Sequence, residues 1–175
     1  TAFFIIIVGL AMFTTAVGMV VNWIVDLRHK ERTGMGRHTV RDHLLIVNFP
    51  SESRVRQIIQ EFRADDHHAK REIVVVADQI EQLPFQIDRV SFVRGWPLEE
   101  ETYRRANVDH ASQAIVLSPS YDDPRSDSMV ASIAFVISGA NPEVKVVAEC
   151  LDAKHTVLFN NSDRVALVFP LLMAS

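Results

Sequence analysis

Few residues in this chain carry reactive chemistry, and their spacing decides little by itself. Asp65-Asp66-His67-His68 sets two carboxylates beside two imidazoles, a donor set that could hold a transition metal. Adjacent residues of this kind on a loop more often simply face water. The single cysteine, Cys150, has no activating base beside it in sequence, and Ser118, Ser120 and Ser126 show no nucleophile elbow. No catalytic constellation emerges, and the expectation is a protein that is not an enzyme. A lone cysteine cannot close an internal disulfide, which suits a reducing cytosol.

The elements that must position these residues alternate. Short apolar runs at 43–48, 72–78, 90–94, 111–118, 144–149 and 164–169 read as strands. Between them, Val55, Ile58, Ile59 and Phe62 fall at helical spacing over 52–62, with Ser51 as a plausible N-cap. Residues 79–83 make at most one turn of helix before Pro84. Pro97 opens a helix through about 107, acidic at Glu99, Glu100 and Glu101 and basic at Arg104 and Arg105, as the helix dipole favours. A further helix over 127–138 ends at Gly139, which can supply a left-handed cap, and another lies near 153–160. Strands that are apolar throughout, not alternating, are those covered on both faces. Six of them interleaved with helices predict an α/β fold, a Rossmann-like doubly wound parallel sheet, spanning residues 43–169.

Ahead of this domain, residues 1–25 carry no charged side chain. As a helix they would run roughly 37 Å, enough to cross a hydrocarbon core of about 30 Å. The run is too long for a signal peptide, has no basic start and shows no clean cleavage pattern, so a transmembrane helix is expected. Asn22 and Trp23 stand where an interfacial anchor belongs. The linker over 26–42 then carries Arg28, Lys30, Arg32, Arg37 and Arg41 against Asp26, Glu31 and Asp42, which puts the C-terminal side in the cytoplasm. Gly34 and Gly36 make that linker compatible with a kinked or flexible exit. Both ends look cut: there is no initiator Met, and residues 170–175 read as the start of a further helix. The net charge of −4 points to no nucleic-acid partner.

The runs HLLIVNFPSESRVRQIIQEF, EIVVVADQ, VSFVRGWPLEEETYRRANVDHASQAIVLS, VKVVAECLDAKH and DRVALVFPLLMAS together resemble the regulator-of-potassium-conductance (RCK) domain. That domain is related to the nucleotide-binding subunits of Trk-type potassium uptake systems. The most telling piece is Gly95-Trp96-Pro97-Leu98 with its continuation to Val108, similar to the family's G-D-P/S … L-x-x-A-x-(V/I) segment, with Trp96 in place of the usual aspartate. Residues 1–25 resemble the inner pore helix of prokaryotic-type potassium channels that carry such domains. The selectivity filter and outer helix are absent from this chain, so conduction rests on the resemblance.

Two stretches are candidate ligand sites. A dinucleotide site needs glycines after the first strand, so that the backbone can approach a pyrophosphate at the helix N-terminus. Here Asn48, Pro50 and Ser53 occupy those slots, and Pro50 has no N–H to offer. Asp78, ending the second strand, stands where a ribose-binding acid belongs, so the nucleotide site (NAD or an adenine nucleotide) is degenerate and a scaffold without ligand is the favoured reading. The resemblance also implies a Ca2+ site, since Asp127 and Glu149 match two acidic positions of calcium-activated members. The third matching position is Leu151, which cannot ligate, although calcium wants six to eight oxygens.

Partners are expected on similar grounds. Met129, Val130, Ile133, Ala134, Phe135, Val136 and Ile137 make the helix over 127–138 apolar around most of its circumference, more than a monomer's surface helix needs. The resemblance implies a homotetrameric channel with an RCK ring, membrane lipid around the span, and potassium in the pore. Gly9 and Gly18 are the positions where the inner helix bends most readily, or where it packs closely on a neighbour. The expected function is a cytoplasmic ligand-sensing gating module of a potassium channel. The alternative is the regulatory domain of a potassium/proton antiporter or of a Trk-type uptake system.

Overall fold

Five consecutive buried residues form β1 (His43–Val47) and five more form β2 (Ile73–Ala77). Strands buried on both faces must lie inside a sheet with cover on each side, and the computed structural model has that architecture. It describes residues 15, 17–21, 34–159 and 164–170. β3 (Val90–Arg94), β4 (Ala111–Val116), β5 (Lys145–Glu149) and β6 (Val165–Val168) complete a six-stranded sheet in the order β3-β2-β1-β4-β5-β6. Every pairing is parallel, as the apolar runs predict.

Alternate residues of each strand divide the core. On one face Leu44, Ile46, Ile73 and Val75 pack with Val55, Ile58 and Ile59 of helix α1 (Glu52–Ala64). On the other, Leu45, Val47, Val74 and Val76 pack with Tyr103 of α2 (Glu100–Arg105) and with Val130, Ile133 and Ile137 of α3 (Ser126–Ala140). β3 and β6 are the edge strands, and the residues of β6 alternate between half-buried and exposed.

Some elements differ from expectation, each for a local reason. No helix forms over 79–83; the chain bends irregularly from β2 to β3 and drives Phe85 into the core instead. Helix α2 is shorter than Pro97 promised, because Asn107 leaves it in the left-handed region (φ 56), which asparagine tolerates. Gly139 is not a left-handed cap. Helix α3 runs past it to Ala140, and Asn141 ends it at φ −133. The buried Asn141 amide donates to the Val108 and Ala111 carbonyls and accepts from Glu143 N, so its side chain anchors the end that a glycine would only have turned. The segment near 153–160 is a 3-10 helix over Ala153–Phe159.

The expected transmembrane span falls almost wholly outside the described residues, as does Gly9. Thr15 and residues 17–21 are helical, and a Cβ built on Gly18 meets nothing within 4 Å. Among the described residues, no helix is long and apolar enough to cross a membrane.

From Gly34 onward the linker is fastened, not flexible. Gly34 sits at φ 67, and its carbonyl accepts from Arg94 N at the C-terminal end of β3 (2.9 Å) and from Arg105 Nη1 (3.1 Å). Arg105 Nη2 donates to the Arg94 carbonyl (2.6 Å). Further along, His38 N donates to Arg105 O, Asn107 Nδ2 donates to Val40 O, and Asp42 N donates to His110 O. Residues 34–42 thus form a strap along β3 and α2, down to the start of β1.

Candidate functional site

In an open α/β sheet the ligand crevice lies beyond the carboxyl ends of the strands, where the chain's winding reverses. Here that point lies between β1 and β4. Asn48 leaves β1 at φ 74, the conformation a glycine would take, and its Nδ2 donates to the Leu117 carbonyl beyond β4 (2.8 Å). So the first glycine slot keeps the glycine's backbone turn, while the added side chain is buried and spent on pinning the two halves of the sheet together. Ser51 then caps α1 by accepting from Arg54 N (3.3 Å), and its Oγ lies 3.2 Å from that of Ser53.

Across the crevice stands Glu149, the last residue of β5, with its side chain 3% exposed. Its Oε1 accepts from Arg54 Nη2 of α1 at 2.8 Å. Its Oε2 accepts from Ser118 N at 2.9 Å and from the Tyr121 hydroxyl at 3.4 Å. The hydrogen bond to Glu149 holds the Arg54 guanidinium above its ordinary range. Burial, then the Glu149 charge, pushes the Tyr121 hydroxyl up. Arg54 Nε is buried with no partner among the described residues.

Asp127, the other expected calcium ligand, is used differently. Oδ1 accepts from Leu151 N (2.7 Å), while Oδ2 accepts from Asp152 N (3.0 Å) and pairs with His155 Nδ1 (2.7 Å). Burial would raise this carboxyl, but the bonds from Leu151, His155 and Asp152 outweigh it and hold the group below the ordinary aspartate range. All four carboxylate oxygens of Asp127 and Glu149 therefore already face N–H or O–H donors. Donor hydrogens repel a cation, and no cluster of three or more metal-ligating side chains occurs among the described residues. The geometry gives the Ca2+ expectation no support.

Asp65–His68 forms a turn whose side chains are engaged locally. His67 N and the His68 ring both engage the Asp65 carboxylate, and the His68 ring stacks on Phe62 at 4.6 Å between centroids. Cys150 donates to Asp152 O, and burial pushes its thiol up, away from the thiolate a nucleophile needs. Asp78 is where the sequence places it, at the exit of β2, half-buried, and its Oδ1 has no partner among the described residues.

Sequence reasoning missed Arg54 and Tyr121. The available signal was an arginine in the first turn of α1, where the positive end of the helix dipole disfavours a cation unless an anion answers it.

A doubly wound sheet with its crevice at the β1/β4 reversal defines a dinucleotide-fold domain. The sequence profile of the calcium-activated potassium channel slowpoke-like RCK domain matches residues 39–148, and the chain belongs to this family. Solved structures share the fold. The human SLO3 gating ring has 13% identity and a TM-score of 0.60 over 73% of this chain and 24% of that one. The GsuK channel bound to NAD has 19% identity and a TM-score of 0.63 over 88% and 26%. The TrkA-N domain of the Escherichia coli inner membrane protein ybaL has 17% identity and a TM-score of 0.53 over 74% and 90%. The chain thus spans about a quarter of the SLO3 gating ring and of the GsuK channel. Among curated proteins the sequence finds no match.

Proposed function

We propose that this chain is the cytoplasmic gating module of a potassium channel, converting ligand binding in the crevice into tension on a membrane helix over residues 1–25. The observation that carries this reading is the strap. Gly34 is bonded to Arg94 at the C-terminal end of the strands, the end on which the crevice opens, so a movement of that end of the sheet bears on the linker. A ligand acts through it only if it prefers one arrangement of the ring over another.

The ligand class we favour is an adenine nucleotide or NAD, the latter present in the solved GsuK channel. The fit is uneven. Asp78, whose Oδ1 has no partner among the described residues, suits a ribose hydroxyl; the pyrophosphate stretch, with Pro50 lacking an N–H and Arg54 engaged by Glu149, does not fit in the present arrangement. The role is regulatory, not catalytic.

Assembly into a ring falls to α3. A groove of about 710 Å3 beside it is lined by Leu98, Ala131, Phe135, Leu158, Phe159 and Val165, and Phe135 is 73% exposed. Phe135→Asp is expected to shift the full-length protein toward smaller species in sedimentation, with the circular-dichroism spectrum unchanged. An unaltered sedimentation profile would remove this face from the interface.

The test of the whole reading is potassium flux from liposomes holding the full-length protein, with and without ADP or NAD. Arg105→Ala, which cuts the bonds to Gly34 and Arg94, is expected to leave ligand affinity within about twofold while lowering the flux response at least about fivefold, the size of a modest coupling energy. A response that survives the substitution would refute transmission through the strap. The fold shared with a TrkA-N domain of an inner membrane protein is equally compatible with a second reading, the regulatory domain of a potassium/proton antiporter or of a Trk-type uptake system. Proton movement coupled to potassium in the same liposomes would identify it.

A further inference from the structure

We propose that the Glu149 carboxylate is a built-in occupant of an anion site, and that a phosphate-bearing ligand gates this protein by displacing it. The inference rests on reading the crevice as a nucleotide site and adds how that site is held shut.

Three donors from separate segments converge on one buried carboxylate: the Arg54 guanidinium of α1, the Ser118 N–H beyond β4, and the Tyr121 hydroxyl of the loop leading to α3. A guanidinium, a backbone N–H and a phenol beside a helix N-terminus are the donor chemistry that receives phosphate oxygens. Arg54 also has more to give than Glu149 takes, since its buried Nε has no partner among the described residues. A second anionic oxygen there would satisfy a donor the carboxylate leaves unpaired. The pair spans the sheet's reversal point, so while it stands the two halves are tied across the place a pyrophosphate would cross.

Displacing Glu149 has a route outward. Just beyond Cys150, Leu151 and Asp152 donate through their N–H groups to Asp127 in the first turn of α3. The 3-10 helix they lead into carries Leu158 and Phe159 to the apolar groove beside α3. Release of the β5 end therefore bears on the face proposed to meet a neighbouring copy.

Calorimetric titration of inorganic pyrophosphate, and separately ADP, into the full chain tests this. Glu149→Gln keeps the size of the side chain, removes its charge, and is expected to bind pyrophosphate at least about tenfold tighter than wild type, as removing a self-competing state should. Adding Arg54→Ala is expected to erase the gain. Affinity no tighter than wild type, or a gain that persists without Arg54, overturns the proposal. Should Glu149→Gln fail to melt cooperatively, Glu149→Asp, which keeps the charge but shortens its reach to Arg54, takes its place; a gain in the same direction supports displacement and none refutes it. Equal ADP affinity in wild type and Glu149→Gln would leave the nucleotide reading standing and the plug wrong. A gain in pyrophosphate affinity with potassium flux indifferent to ADP and NAD would do the reverse.

Discussion

Gly34→Ala is expected to detach the strap and, in the full-length protein, to uncouple ligand from flux. The position is at φ 67, where an alanine costs about 1–2 kcal/mol, and there is no room for the methyl. A Cβ there would stand 2.4 Å from the backbone nitrogen of Arg94 and 2.7 Å from Phe92 Cδ1. Neither can yield, because Arg94 and Phe92 belong to β3, paired to β2 along its length. Overpacking of this kind costs a further 1–3 kcal/mol or so, more than the few hydrogen bonds of the strap return. The cheaper escape is for the linker to leave. Hydrogen exchange should show it: the Arg94 amide, which donates to Gly34 O, loses protection by about tenfold or more, while the amides of β1 and β2 keep theirs. Unchanged protection at Arg94 would mean that the strap does not depend on this glycine.

The second large effect is on stability in mild acid, through His43. Its ring is fully buried, and Nε2 lies 3.0 Å from the Ala106 carbonyl, which can only accept, so Nε2 carries the proton. Nδ1 has no partner among the described residues, and a second proton there would be a buried, unanswered N–H. Burial pushes the group down from 6.5 to about 4; the bond to Ala106 opposes this, His38 and His110 add to it, and Asp42 opposes it weakly. Between those pH values the unfolded chain binds a proton that the folded chain refuses, so stability is full above the unfolded value and falls as pH drops. At about 1.4 kcal/mol per pH unit the loss approaches about 3 kcal/mol by pH 4. Asp127 acts only below this window, since its carboxyl is held below the ordinary aspartate range. His43→Gln keeps a donor for Ala106 and is expected to flatten the pH dependence of the urea midpoint between pH 7 and 4. A slope that persists in that variant would place the titrating group elsewhere.

Residues with effects this large were unequally visible in the sequence. His43 could be seen only as the first residue of an apolar run; nothing local marks it as fully buried and within electrostatic reach of His38 and His110. Ser51 was legible as a cap and β1 and β2 as covered strands, because a cap is made within three residues and a strand's cover shows in its own unbroken apolarity. Asp127 and Glu149 stood out in the sequence as acids, but the partners that hold them in the fold did not. A sequence displays the acids but not the donors that folding brings to them: Arg54 lies 95 residues from Glu149, and His155 lies 28 from Asp127.

By itself, then, the sequence determined the order of the elements, the parallel sheet and the family, because periodicity, capping and apolar runs are local properties that any fold must obey. Only the tertiary structure decided what the crevice and the linker are. Gly34 looked like a point of freedom and is held against Arg94; Asn48 looked like a lost glycine and keeps its backbone turn; Glu149 looked like a cation ligand and answers a cation already in the chain. Each of these depends on contacts between segments that only the closed sheet brings within a few ångströms, where charge and steric exclusion act and sequence distance no longer matters.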